Sequence, residues 1–306
     1  MEVQDLQTQT VNERNKWISS LQVFAADIKL SHSIFALPFV VVGLTLVDLP
    51  FTQEPLRYLQ ILVCMVLARS FAMGMNRYLD RDIDRENART KTRALAQGIV
   101  SSRSYLHITL LCGVGFVLVA ASLSRLAGVL SPLLLLLLAF YSVMKKLSWM
   151  THWYLGFCLG LAPVAAELAL FDKISEPNLV VGLAVMFWTA GFDLLYSLQD
   201  REFDKGRGLH SVPAKLGHKS AIWLSRLSFV LMVVCLAWAG QIVGSGAWWF
   251  IGVAAVGGVL TYEHWIIRDA MITGTSNKIN VAFFNLNALV SIVFCAFAIL
   301  DFYGRS

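Results

Sequence analysis

Runs of eighteen or more mostly apolar residues recur along the whole chain, separated by polar loops that alternate between short and long. Nine such runs lie at 22–47, 57–79, 104–123, 127–144, 153–171, 179–199, 220–243, 247–267 and 281–302. Each is long enough to cross about 30 Å of hydrocarbon as a helix. The apolar positions are continuous rather than alternating, which argues against a β-barrel. Lipid also leaves every backbone polar group to be satisfied within its own segment. The pattern predicts an all-α integral membrane protein: nine transmembrane helices bundled around a central cavity. It forms a single domain over 1–306, with a polar segment at 1–21.

Composition agrees and closes off the main alternative. Hydrophobic residues make up 57% of the chain and charged residues 15%, whereas a soluble domain carries about 25% charged residues. The first twenty residues are mixed in charge and read neither as a secretory signal nor as an acid-poor transit peptide. The short connections fall at 48–55, 124–128, 172–178 and 244–246. The face that holds the N-terminus and the long loops collects 20 of the lysines and arginines. The opposite face collects four, Arg57, Arg125, Lys173 and Arg305, and Arg69 lies within a span. By the positive-inside rule the N-terminus and long loops are cytoplasmic, the C-terminus is outside, and the protein sits in the cell (inner) membrane. The net charge of +5 follows from this topology and needs no nucleic acid as partner. The cysteines Cys64, Cys112, Cys158, Cys235 and Cys295 stand singly in apolar runs, without the spacing of a metal or disulfide framework.

Against this background the second run ends in NRYLDRDIDREN, Asn76 to Asn87, and the sixth in YSLQDREFDKG from Tyr196. Aligned, Asn76 falls on Tyr196, Asp80 on Asp200, Arg81 on Arg201, Asp84 on Asp204 and Arg85 on Lys205, each pair offset by 120 residues. Both helices run the same way, so the offset predicts a parallel pseudo-repeat with substrate at the repeat interface. Solvated helix ends have no reason to match in this way, and ionisable groups at membrane depth default to function.

Spacing of i, i+4 puts Asp80, Asp84 and Asn76 on one stripe, and Asp200 and Asp204 on another with Tyr196 a turn deeper. Two carboxylate pairs facing each other would repel unless cations sat between them. Oxygen ligands without His or Cys select a hard ion, Mg²⁺ or Ca²⁺, and Mg²⁺ commonly completes its shell with substrate phosphates. Neighbouring arginines and lysines would grip the remaining phosphate oxygens. Carboxylate pairs, a hard metal and a basic rim opening into lipid suit a diphosphate with an apolar tail, a polyprenyl diphosphate.

These residues resemble the UbiA superfamily of intramembrane aromatic prenyltransferases across essentially the whole chain. The family's N-x-x-x-D-x-x-x-D stands as Asn76, Asp80 and Asp84, and its D-x-x-Y-x-x-x-D-x-x-x-D as Asp193, Tyr196, Asp200 and Asp204. Its Y-x-x-x-K stands as Tyr141 and Lys145, and its arginine before the first motif as Arg69. Where many members read R-P-L-P-x-G, this chain reads RALAQG, Arg93 to Gly98. Arg93 remains and the two rigid prolines are gone. The stretch KLSHSIFALPFVVVG is similar to the hydroxybenzoate-prenyltransferase-like branch, some of whose members act on a naphthoate.

The resemblance implies that two Mg²⁺ ions held by the aspartates neutralise the diphosphate, while Lys145, Arg93 and Arg81 stabilise it as it leaves. The allylic cation, faced by Tyr141 and Tyr196, is captured by an aromatic acid in ubiquinone or menaquinone biosynthesis. Arg69, inside a span, would hold that acid's carboxylate. Asp193 could orient Tyr196, pair with Arg69, or hold the aromatic substrate. His32 would line the cavity, and the basic loop HSVPAKLGHK, with Lys215, would fold over the diphosphate. Phe192 and Trp188 read as core packing, Glu167 as a span residue without an evident partner, and Glu263 as part of a solvated helix end. Haem-, chlorophyll- and archaeal-lipid-type members of the same superfamily share both motifs. A transporter would also hold intramembrane acids, but near the midplane rather than at helix ends.

Overall fold

The computed structural model describes residues 19–28, 37–47, 54–273 and 285–305, with residues 268–273 by backbone alone. Among them there is no β-strand. In chain order the helices are α1 (19–27), α2 (Leu37–Thr45), α3 (Pro55–Glu86), α4 (Ser102–Leu123), α5 (Arg125–Leu147), α6 (Thr151–Phe171), α7 (Glu176–Tyr196), α8 (Arg201–Gly206), α9 (Val212–Leu216), α10 (His218–Val243), α11 (Ala247–Thr273) and α12 (Asn287–Arg305). Eight are long and apolar enough to cross a membrane: α3, α4, α5, α6, α7 with its continuation to Gly206, α10, α11 and α12. The protein is a multi-pass membrane protein. The first run expected from the sequence, 22–47, holds α1 and α2, and residues 29–36 between them lie outside the described residues. His32 lies there too.

Helix ends follow local chemistry. Pro55 opens α3 in its first turn, where its missing N–H costs nothing. Ser124 ends one helix and starts the next. Its N–H donates to the Ala120 carbonyl at 3.2 Å, and its Oγ accepts from the Ala127 N–H at 3.0 Å. The loop expected at 124–128 is therefore a single residue. At that same end Arg57 gathers the termini of two helices, donating to the carbonyls of Leu170 at 2.9 Å, Ala169 at 3.4 Å and Leu123 at 3.5 Å. A cation there complements the negative ends of both helix dipoles.

The two largest apolar cores divide the bundle, and α2 serves both. Its Phe39 and Val42 pack with Trp188, Met232, Leu236 and Phe294, whereas Val40 and Leu44 pack with Ile61, Phe116 and Leu168. Leucines and valines such as Leu118, Val129 and Leu136 are exposed and form the face turned to lipid. Along the α6–α7 seam the packing partner is backbone. A Cβ added at Gly156, Gly160 or Gly182 would run into the carbonyl of Met186, Gly182 or Gly160 respectively. Small residues at such spacing let two helices approach to backbone contact.

Two buried acids differ from the sequence reading. Glu167 has partners: its Oε2 accepts from the Ser175 N–H, the Ser175 hydroxyl and Asn178 Nδ2 at 2.9, 2.9 and 3.0 Å. Glu263 is buried rather than solvated, accepting from Asn287 Nδ2 at 3.1 Å. Asn287 Oδ1 in turn takes the Trp188 indole N–H at 2.8 Å. In both cases a carboxylate on an apolar helix finds amide donors on a neighbouring element, which spacing along one helix cannot reveal.

Candidate active site

The first motif lies on uninterrupted α3, so its stripe is preserved, and Asn76 Nδ2 donates to Asp80 Oδ2 at 2.9 Å. The second motif does not lie on one helix. α7 stops at Tyr196, a 3₁₀ turn covers Ser197–Asp200, and α8 resumes at Arg201. Three residues per turn over this stretch advance the chain by roughly 80° beyond an α-helix. Tyr196 and Asp200 are therefore not spaced by one continuous α-helix, although Arg89 joins the two.

Each motif aspartate faces a basic side chain. Arg93 Nη1 donates to both oxygens of Asp84, at 2.7 and 2.6 Å. Arg89 Nε donates to Asp200 Oδ1 at 2.9 Å and its Nη2 to Oδ2 at 2.5 Å, while Asn87 Nδ2 adds a bond of 3.2 Å. Lys145 Nζ lies 2.8 Å from Asp204 Oδ1, and Lys146 Nζ lies 3.6 Å from Asp80. Lys145 is also within electrostatic reach of Asp80 and Asp200, so one ammonium stands among carboxylates of both motifs. The helix ends are tied as well, Arg207 pairing with Glu86. Arg89 was not singled out in the sequence, although it lies two residues past Asn87 in a run of cations, RTKTR. Burial works to lower its pKa, but the bonds to Asp200 and Tyr196 outweigh this and raise it. Its Nη1 reaches the Tyr196 hydroxyl at 3.1 Å, and its guanidinium lies 5.1 Å from that ring's centroid.

The donor set fits a hard divalent ion. Asp80, Asp84, Asp200, Asp204 and Asn76 offer oxygen, and Asp204 Oδ1 is buried without a hydrogen bond among the described residues, because Lys145 approaches it off the bonding direction. Among the described residues no three acids or histidines converge closely enough to share an ion. Each of the four carboxylates is instead paired with a base.

The remaining predicted residues scatter. Arg81 turns outward, donating to the Tyr78 carbonyl at 2.8 Å beside Asp82. Lys215 is exposed on α9. Arg69 sits in the interior of α3 and its Nε has no hydrogen-bond partner among the described residues. Tyr141 lies within electrostatic reach of both Asp80 and Asp193. Asp193 pairs with neither Arg69 nor Tyr196; its Oδ2 is 2.7 Å from Nδ1 of His152, at the start of α6. Nothing in the sequence around His152 singled it out.

The RALAQG loop is tied down by side chains of α1, α3 and α4. Asp27 of α1 accepts from the Ala94 N–H at 3.0 Å and from the Tyr105 hydroxyl at 2.8 Å, and Arg85 Nε holds the Ala96 carbonyl at 3.1 Å. Leu95 is buried, and Gly98 takes a φ of 72° that disfavours a side chain. A separate apolar groove of about 280 Å³, lined by His107, Leu110, Leu111 and Val114, contains none of these residues.

A bundle of membrane-crossing helices that brings two aspartate motifs and a set of cations to one end defines a multi-pass membrane enzyme that transfers prenyl groups. The chain belongs to the UbiA prenyltransferase family, whose family model matches residues 36–298. It is 32% identical over 216 residues, 69% of this chain and 73% of the relative, to a 4-hydroxybenzoate octaprenyltransferase of Alkalilimnicola ehrlichii. The apo structure of a UbiA homolog from Aeropyrum pernix K1 is 32% identical and superposes with a TM-score of 0.78, covering 89% of this chain and 98% of that one. A UbiA homolog from Archaeoglobus fulgidus bound to GPP and Mg²⁺ shares the fold at 16% identity and a TM-score of 0.65, covering 92% of this chain and 99% of that one.

Proposed function

We propose that the protein transfers a polyprenyl group from polyprenyl diphosphate to an aromatic acid, 4-hydroxybenzoate or a naphthoate, for ubiquinone or menaquinone biosynthesis, with Mg²⁺ as cofactor. The observation that carries this is the meeting of both aspartate motifs around Lys145, with Arg89 and Arg93 alongside. Four carboxylates and their matching cations form a neutral set, which divalent ions and a diphosphate together can enter with little net charge being buried. The relative named for 4-hydroxybenzoate and the homolog named with GPP and Mg²⁺ support the same substrates.

Asn76, Asp80, Asp84, Asp200 and Asp204 would hold Mg²⁺, which when bound makes diphosphate a better leaving group. Lys145, Arg89 and Arg93 receive the charge that develops as the C–O bond breaks. The allylic cation is captured at a ring carbon, forming the new C–C bond, and the displaced ring proton is lost. Tyr196 already stacks on a guanidinium in this structure, and the same ring can face a carbocation. Tyr141, within electrostatic reach of Asp80 and Asp193, would face the cation in the same way. Helices around the reacting atoms keep water away from the cation. Arg69, deeper on α3 than the metal-binding aspartates, takes the carboxylate of the acid. The excess of Lys and Arg in the long loops supports a motif end that faces the cytoplasm in the cell membrane.

The test is purified protein in detergent with Mg²⁺, geranyl diphosphate and a panel of aromatic acids, read by mass spectrometry. A prenylated hydroxybenzoate or naphthoate is expected. EDTA should abolish its formation, and Mg²⁺ without Zn²⁺ should restore it. Turnover in metal-free enzyme would remove the role given to the aspartates.

A further inference from the structure

Three consecutive residues after the second motif each bond to a different part of the site. The His210 N–H donates to the Lys145 carbonyl at 2.7 Å. The Ser211 hydroxyl donates to Asp204 Oδ2 at 2.8 Å, while its oxygen caps α9 through the Ala214 N–H at 3.4 Å. The Val212 N–H donates to Nε2 of His152 at 3.3 Å. A backbone N–H can only donate, so Nε2 must be the unprotonated nitrogen. The imidazole is then neutral with its proton on Nδ1, directed at Asp193 Oδ2 2.7 Å away.

His152 is almost fully buried, with 2% of its side chain exposed against 19% for Asp193. Leu194, Val212 and Ala221, with Trp149 and Trp153, form the apolar packing around this junction. Both ring nitrogens are thus committed in dry surroundings, and the ring can satisfy both partners in only one tautomer and one orientation. Asp193 is left with one oxygen fixed by His152 and the other, Oδ1, without a hydrogen bond among the described residues. Tyr141 stands within electrostatic reach of it.

We propose that His152 is a positioning residue that presents Asp193 to the aromatic acceptor and, through Val212, ties it to the diphosphate half of the site. The proposal rests on the prenyl-transfer reading above. Asp193 Oδ1 accepts the hydrogen bond of the acceptor's ring hydroxyl, or the proton lost from the ring. The strap of residues 210–212 connects this carboxylate to Asp204 and to the backbone of Lys145, so order at the diphosphate is felt at the acceptor.

The two bonds of His152 can be cut separately. In H152N the amide nitrogen replaces Nδ1 and keeps the bond to Asp193 but not the one to Val212. In H152Q the oxygen of the longer amide takes the place of Nε2 and accepts from the Val212 N–H, but the bond to Asp193 is lost. The expected split is that H152Q lowers kcat by roughly 100-fold, as a misplaced group does, with KM for geranyl diphosphate near wild type. H152N should keep kcat within a few-fold and raise the KM for geranyl diphosphate. V212P removes the same N–H, exchanges one buried apolar side chain for another of similar size and leaves the His152 side chain in place; the backbone allows it, since Ser211 is extended and Val212 opens α9. V212P should behave like H152N. Binding of geranyl diphosphate with Mg²⁺, measured by calorimetry, reads the strap without any acceptor. It should weaken in H152N and V212P and hold in H152Q. Wild-type protein that binds geranyl diphosphate but prenylates no aromatic acid would sink the functional reading, leaving the strap tested by binding. Equal losses in H152N and H152Q, or wild-type binding and kinetics in V212P, would overturn the positioning role.

Discussion

Arg89→Gln isolates the exchange of cations that the site implies. In the wild type Asp200, with 7% of its side chain exposed, accepts two bonds from Arg89 and one from Asn87. Glutamine leaves Asn87 and removes the charge, so a nearly buried carboxylate loses its counter-ion. Breaking a buried pair from one side costs about 3–5 kcal/mol. Arg89 is itself 34% exposed, and solvent screening on that side brings the cost down to about 2–3 kcal/mol. For a chain of this size that corresponds to a fall in Tm of roughly 3–5 °C. The assay is thermal unfolding in detergent at a fixed scan rate, with and without Mg²⁺ and diphosphate. Without ligands the variant should show the full deficit. With Mg²⁺ the metal supplies the missing positive charge, so the variant should gain more Tm than wild type and the gap should close. A deficit of the same size in both conditions would refute the idea that Arg89 stands where a metal ion will act.

Asp80→Ala and Asp200→Ala should each lose most turnover while the protein still inserts and folds, and a variant with near wild-type kcat would remove that half of the clamp. Arg69→Leu should raise KM for the aromatic acid far more than for the prenyl diphosphate, a lost buried charge-assisted contact costing on the order of 2–4 kcal/mol; equal effects on both substrates would make Arg69 a structural residue. Lys145→Met should instead lower kcat, because the ammonium among the aspartates is what meets the departing diphosphate. Arg57→Ala, which uncaps α4 and α6 at the end away from the motifs, should cost about 1–2 kcal/mol of stability and leave kcat unchanged, measured by unfolding and turnover on the same preparation.

The spans were legible because hydrocarbon imposes length and apolarity on every helix, and the aspartate motifs because the same spacing appears twice. What escaped the sequence depends on contacts between distant segments. The 3₁₀ turn at Ser197–Asp200 has no proline or glycine to announce it, so the second stripe looked continuous with Tyr196. Arg89 looked like one cation among several, and only folding brings it against Asp200, 111 residues away. His152 sits between tryptophan-rich and apolar residues, where a histidine is ordinarily structural. Its partners Asp193 and Val212 come from two other segments. Glu167 looked alone, and Glu263 looked solvated, for the same reason.

The glycine seam between α6 and α7 also sets where this enzyme can be re-engineered. His152 opens one of these helices and Asp193 lies near the end of the other, so the seam is the frame on which both are mounted. Because backbone carbonyls fill the space beside Gly156, Gly160 and Gly182, a saturation library at those codons will return almost only wild type. A broader choice of aromatic acceptors has to be sought by varying α3 and α5, where Arg69 and Tyr141 keep partly exposed surface and a larger or smaller side chain can be absorbed.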